Sequence, residues 1–220
     1  LLPFQLLCDI VRKSKHIFFF YYPDISIQEC RDLTKLANEA QTVFQVINPF
    51  YYLPALQWLN KNLKKPAYLD ISFFKGKPEQ TEWLTPLLLM LKEITGTIPK
   101  KISAMAFQIN EPQSEFNNLR LEFGNASSVN LNFGLKENQE EFKINAWAND
   151  QEVALDLISG EGSINHSKIK LKSEKTADEL DIFVKNSLKT TTDFTEIEDY
   201  LTVLESIQKI KAKLAQFSIL

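Results

Sequence analysis

Four tyrosines in two short runs are the side chains of this sequence best placed to do chemistry. The first run is Ile17-Phe18-Phe19-Phe20-Tyr21-Tyr22-Pro23, the second Ile47-Asn48-Pro49-Phe50-Tyr51-Tyr52-Leu53-Pro54. Each follows or ends an apolar, strand-like segment. A phenol with an ordinary pKa of about 10 becomes a general base only when a neighbouring cation lowers it. No Lys or Arg adjoins Tyr21 or Tyr22 in sequence. Without one, the rings can stack on a flat apolar face such as a sugar, their hydroxyls finding partners or water. For Phe18 to Phe20 the reading is core filling. For Tyr21, Tyr22, Tyr51 and Tyr52, core filling and ligand stacking stand side by side.

Other chemistries find less support. The two histidines, His16 and His166, lie far apart, each beside an expected strand, and read as structural. Two scattered histidines without a cysteine cluster do not make a zinc site. None of the six glycines has the strand-to-helix spacing that brings backbone N–H groups onto a pyrophosphate. No serine-nucleophile elbow and no recognisable Cys–His pair occurs. Glu79 and Glu82 flank the start of an apolar helix, where a carboxylate favours the helix dipole; a pocket mouth is the functional alternative.

The elements that must position these residues begin with a helix over 4–14, carrying Phe4, Leu7, Cys8 and Val11 on one face. A buried strand over 16–21 follows. Ser26 and Glu29 form a capping box opening a helix to about Ala40, and Val43–Ile47 is the next strand. Helix, strand, helix, strand with short connections predicts a parallel α/β unit. Pro54 suits the first turn of a third helix. A strand over 67–74 and a helix over 80–95, closed by Gly96, come next. From 98 to 171 alternating segments such as Leu119-Arg120-Leu121-Glu122-Phe123 and Val129-Asn130-Leu131-Asn132-Phe133 predict an antiparallel sheet with one wet face. Two helices finish the chain, one over 176–189 and one opening on a Thr195/Glu198 capping box. The last has Ile197, Leu201, Leu204, Ile207, Ile210, Leu214 and Phe217 as its apolar line. The expected plan is a partial parallel Rossmann-like unit over 1–50, then an α+β domain over 51–220 whose largely antiparallel open sheet is covered by helices on one face.

At 220 residues the chain can bury a sizeable core. A net charge of −3 without a basic stripe gives no footprint for nucleic acid. No apolar run reaches membrane-spanning length. Cys8 and Cys30 fall on apolar helix faces and read as small buried hydrophobes of a reducing, cytoplasmic compartment, with a disulfide as the alternative. The sequence opens on Leu-Leu-Pro rather than Met, and the expectation is that further chain precedes it.

The ordered set is recognisable. Lys15-His16-Ile17-Phe18, a proline, the capped helix with Glu29-Cys30-Arg31-Asp32-Leu33, then Phe44-Gln45-Val46 and the helix-opening Pro54 resemble the middle of the Gfo/Idh/MocA oxidoreductase family. Leu119–Phe123 with Gly124-Asn125 resembles that family's strand and tight turn. Ile182-Phe183-Val184 with Ser187-Leu188, and Phe194 to Ile207, resemble its closing helices. The resemblance implies a Rossmann domain for NAD or NADP and a C-terminal α+β domain that shapes a substrate pocket for a sugar-like molecule. It also implies self-association through the C-terminal sheet. The glycine-rich cofactor loop would precede Leu1, so no cofactor residue is expected within this chain.

The departures from the family pattern fall together. Where the family has Glu-Lys-Pro, this chain has Phe20-Tyr21-Tyr22-Pro23, the lysine position falling on Tyr21 or Tyr22. Where the family has a Gly-His/Asn-x-Arg segment, this chain has Ile47-Asn48-Pro49-Phe50-Tyr51-Tyr52, keeping only Asn48 and the aromatic Tyr52 in kind. At the family's Asp-x-Gly-x-His motif stand Glu82, Leu84 and Pro86. Oxidising a sugar hydroxyl needs a base to take the proton as hydride leaves for nicotinamide, and Phe and Pro cannot be that base. The expectation is therefore a catalytically degenerate scaffold with no assigned catalytic residue. Its inferred pocket positions are Tyr21, Tyr22, Asn48, Tyr51, Tyr52 and Glu82. The alternative is an active NAD(P)-dependent oxidoreductase on a sugar or cyclitol, of which this chain is a fragment.

Overall fold

The Ser26 hydroxyl accepts the Glu29 N–H at 3.2 Å, and the Glu29 carboxylate accepts the Ser26 N–H at 2.8 Å. Two of the N–H groups that a helix start leaves open are thereby satisfied, which fixes where α2 (Ile27–Glu39) begins. It lies in a unit with α1 (Phe4–Lys13) and the parallel strands β1 (His16–Phe19) and β2 (Val43–Val46). Leu7, Val11, Ile17, Cys30, Leu33, Phe44 and Val46 are buried together there. The computed structural model describes residues 2–51, 53–63, 65–76, 83–108, 115–136, 139–171, 180, 183–184 and 196–216.

The second unit runs α3 (Pro54–Asn62), β3 (Tyr68–Lys75), α4 (Leu84–Thr95), β4 (Pro99–Gln108), β5 (Glu115–Phe123), β6 (Ser128–Leu135), β7 (Glu141–Ala148), β8 (Gln151–Asp156), β9 (Glu161–Ile164) and β10 (Ser167–Lys170), and ends in α5 (Ile197–Leu214). The strands form one eight-stranded sheet in the order β10-β9-β8-β7-β3-β6-β5-β4. It is antiparallel except where β3 lies parallel to β6. One face is apolar: Leu69, Ile71, Leu119, Leu121, Val129, Leu131 and Ile144 pack with Leu56 and Leu59 of α3, Leu87 and Leu91 of α4, and Val203 and Ile207 of α5. Each such leucine contributes roughly 1.5–3 kcal/mol by leaving water. The other face carries the alternate, largely polar residues expected of a wet face.

Most expected elements form within a residue or two of their expected bounds. Gly96 caps α4 in the left-handed conformation, φ +71°. The helix expected over 176–189 lies mostly outside the described residues, as do Thr195 and Phe217. The last helix departs from expectation at its start. Its N-cap is Glu196, whose N–H donates to Asp199 (3.2 Å), and not Thr195 with Glu198. Its buried residues include Tyr200 and Val203, which the expected stripe leaves out. The reason is that α5 is wedged between two cores: Ile197 and Tyr200 join that of the first unit, Val203, Ile207 and Ile210 that of the second. An ion pair between Lys92 and Asp199 ties α4 to α5, and burial holds the Lys92 ammonium below its ordinary pKa.

Candidate functional site

In open α/β sheets, ligands bind beyond the carboxyl ends of the parallel strands. Phe19 pairs with Val46, and the Ile47 N–H donates to the Phe19 carbonyl at 2.9 Å, so both aromatic runs leave the sheet side by side. The structure thus brings the two runs to one end of β1 and β2. It does not give their side chains one environment.

Phe20 meets Phe18 edge to face, centroids 4.7 Å apart, and Phe18 stacks on Phe183 at 5.2 Å. Tyr21 is 83% exposed. Tyr22 turns inward and packs against both cores. Its ring lies parallel to Tyr200, 5.6 Å away at 8°, and its hydroxyl oxygen is buried. The Tyr200 hydroxyl in turn donates to the Pro23 carbonyl at 3.0 Å.

On the second run Asn48 is buried, 4% exposed, and its carbonyl accepts the Tyr51 N–H at 3.0 Å. Phe50 enters the core of the second unit, 5.0 Å from Phe142 and 5.8 Å from Phe73. Tyr51 is half-buried, its carbonyl accepting the Gln57 side-chain amide. Tyr52 and Glu82 lie outside the described residues. Pro86 is buried in the first turn of α4, where a missing N–H costs little.

Two residues at this end escaped the sequence reading. Tyr200 comes from a helix about 180 residues further on, and a helical stripe gives no signal for such a partner. Gln45 is buried, and its side-chain nitrogen has no hydrogen-bond partner among the described residues. A polar side chain inside a strand otherwise read as apolar is the signal that could have marked it.

The helix starts after β1 and β2 do not fit a pyrophosphate. Glu29 places a carboxylate in the first turn of α2, bonded to the Ser26 N–H, where a phosphate would need free N–H groups. Hydrogen bonding to Ser26 also holds the Glu29 pKa below the usual carboxylate range. The α3 start carries Pro54. Among the described residues no group of three or more His, Cys, Asp or Glu is placed to hold a metal, and no helix is long and apolar enough to cross a membrane. Elsewhere, a trough of about 660 Å³ at the β8–β10 end of the sheet is lined by Lys143, Asp156, Glu161 and Lys168, and by none of the expected pocket residues.

This architecture is the fold of the Gfo/Idh/MocA-type oxidoreductases. UDP-N-acetylglucosamine 3-dehydrogenase GnnA from Acidithiobacillus ferrooxidans superposes with a TM-score of 0.83 at 15% identity, over 99% of this chain and 78% of that one. Biliverdin reductase from Synechocystis sp. PCC 6803, solved with biliverdin and NADP+, gives 0.72 at 15% identity, over 96% and 76%. Aldose-aldose oxidoreductase from Caulobacter crescentus gives 0.72 at 12%, over 96% and 73%. At these identities the likeness is one of fold. No protein-family model and no curated protein matches the sequence.

Proposed function

We propose that this chain is a divergent Gfo/Idh/MocA-like protein whose oxidoreductase chemistry has degenerated and which acts as a ligand-binding or dimerisation scaffold. The observation that carries the reading is Tyr22. Tyr22, one of the two positions, with Tyr21, to which that resemblance gives a lysine, is a phenol with a buried hydroxyl, stacked on Tyr200 between two cores. Its neighbour Tyr21 faces solvent. A proton-transfer group must reach the substrate hydroxyl, and the Tyr22 hydroxyl is buried between the two cores. The proposed lining for a sugar-like ligand is Tyr21, Tyr22, Asn48, Tyr51, Tyr52 and Glu82, of which Tyr22 turns its ring inward onto Tyr200. Residues 1–50 are proposed as the Rossmann-like part and 51–220 as the substrate and dimerisation part, with self-association through the open sheet. Two free buried cysteines accord with a cytoplasmic setting.

The second reading keeps the activity. It is an NAD(P)-dependent oxidoreductase on a sugar or cyclitol, its glycine-rich loop lying in sequence outside these residues. NADP+ on the Synechocystis relative favours it. So does a two-stranded parallel sheet, far narrower than parallel sheets usually are.

Thermal shift and turnover assays on the full-length protein separate the two. The scaffold reading expects no reduction of NAD or NADP with sugars or cyclitols; turnover with either cofactor overturns it. Failure of both cofactors to raise the melting temperature removes the enzyme reading.

A further inference from the structure

Two cross-strand rows of side chains line the trough of about 660 Å³ at the β8–β10 end of the sheet. One row runs Asn145, Ala154, Ser163, Lys168 from β7 to β10, each residue in register with the next. The other runs Lys143, Asp156, Glu161, Lys170 in the same way. Lys143 borders the same hollow as the two β10 lysines, although three strand spacings, about 14 Å, separate β7 from β10. The first row is low in its middle because Ala154 and Ser163 are small. Gly162 brings β9 so close to β8 that a Cβ there would stand 2.3 Å from the Ala154 carbonyl oxygen. The lining is polar and its charges are balanced. Lys143 pairs with Glu141 at 3.5 Å and Lys170 with Glu161 at 3.6 Å. Asp156 accepts the Ile158 and Ser159 N–H groups through one oxygen, at 2.9 and 3.1 Å, which fixes its carboxylate. Rings stand beside the trough. Trp147 lies two residues past Asn145 on the same side of β7, about 7 Å on. It pairs with Tyr68 of β3, ring centroids 5.4 Å apart at 39°, and Tyr68 is 39% exposed.

We propose that this trough and the Tyr68–Trp147 shelf bind an uncharged oligosaccharide, one pyranose on the rings and the next in the trough. A pyranose has an apolar C–H face, which stacks on aromatic rings, and a rim of hydroxyls, each of which donates and accepts. The trough supplies both halves side by side: the Asn145 amide, the Ser163 hydroxyl and Lys168 donate, and Asp156 and Glu161 accept. Its three lysines are met by Asp156, Glu161 and the adjoining Glu141, so no net charge selects an ionic ligand. The volume falls within the roughly 300–1,000 Å³ of small-ligand sites. The inference stands apart from the pocket proposed at the end of β1 and β2, none of whose residues lines the trough. Strands β8, β9 and β10 have six, four and four residues, so the trough lies to the side of the longer strands over which self-association is proposed.

Calorimetric titration of the full chain with cellohexaose, maltohexaose and xylohexaose tests this. At least one is expected to bind with a Kd of about 1 mM or tighter, changing no more than about twofold between roughly 0.1 and 0.5 M NaCl. Ser163→Tyr fills the floor of the trough and is expected to raise the Kd about tenfold or more. Tyr68→Ala removes half of the shelf and is expected to raise it about fivefold. Phe107→Ser, exposed on the far strand β4, is expected to leave it within about twofold. Failure of all three hexaoses to bind overturns the proposal. A loss of about tenfold or more in the higher salt overturns an uncharged ligand. Binding that survives Ser163→Tyr overturns the trough and leaves the pocket at the end of β1 and β2 as the sugar site. If Ser163→Tyr does not fold, Tyr68→Ala carries the test, and an unchanged Kd there overturns the proposal.

Discussion

Replacing Tyr200 by alanine tests whether α5 staples the two units together. Tyr200 is 3% exposed, stacks on Tyr22, and donates to the Pro23 carbonyl. Truncating a buried aromatic of this size costs about 3–5 kcal/mol. A unit of some fifty residues has a stability of its own of roughly 2.5–7.5 kcal/mol, at 0.05–0.15 kcal/mol per residue. The loss therefore removes most of what holds the first unit, while the sheet core keeps Val203, Ile207 and Ile210. Two probes separate the units. All three tryptophans, Trp58, Trp83 and Trp147, lie past residue 50, so their fluorescence follows the sheet. Far-UV circular dichroism also follows α1 and α2. In the unaltered chain the two thermal transitions are expected to coincide. In Tyr200→Ala the dichroism begins to fall earlier, by about 10 °C or more, and fluorescence follows later. Tyr200→Phe keeps the stack, loses about 1 kcal/mol with the hydrogen bond, and leaves the transitions coincident. Coincident transitions in Tyr200→Ala, or a melting temperature within 1–2 °C of the parent (well under ~1 kcal/mol), would refute the staple.

Gly134→Ala forces a Cβ against the Glu115 carbonyl at a φ that alanine rarely adopts; a loss of about 3 kcal/mol or more in urea denaturation is expected. Burial pushes the Cys30 thiol up to about 12 from its ordinary value of 9.0. Between those values the unfolded chain has lost a proton that the folded chain keeps, so stability is full below about pH 9 and falls as pH rises. The fall is expected to be shallower in Cys30→Ala, compared by denaturant titration from pH 8 to 11, and Cys30 is expected to resist alkylation in the native chain while reacting in urea.

Local signals were legible wherever a side chain answers to its own neighbourhood. Alternation over Leu119–Phe123 and Val129–Phe133 specified which residues face the core, because the period of a strand is two. The Ser26/Glu29 box specified a helix start, because both partners lie within one turn. What stayed hidden depends on distant chain. The parallel pairing of β3 with β6 joins segments 60 residues apart, and nothing in Tyr68–Lys75 announces it. The expected stripe on the last helix keeps Ile207 and Ile210 but misses Tyr200 and Val203, because α5 has two apolar surroundings rather than one. The same blindness affected the candidate site. Sequence placed Tyr21 and Tyr22 together, yet one is in solvent and the other between cores, since consecutive residues past the end of a strand point apart.

That divergence bears on what a lysine at position 22 would require. An ammonium in this place would be pressed against the Tyr200 ring, shut away from water where the phenol oxygen now lies. Burying an unpaired charge costs several kcal/mol unless it loses its proton or finds a counter-ion. A tyrosine meets the same place at lower cost, because its ring stacks and its hydroxyl remains neutral. The aromatic at position 22 and the aromatic at position 200 are thus one packing decision made twice. Tyr22→Lys loses the ring stack on Tyr200 and is expected to lower the melting temperature. The stack of Tyr22 on Tyr200 and the Tyr200–Pro23 hydrogen bond form one rigid joint between the two units.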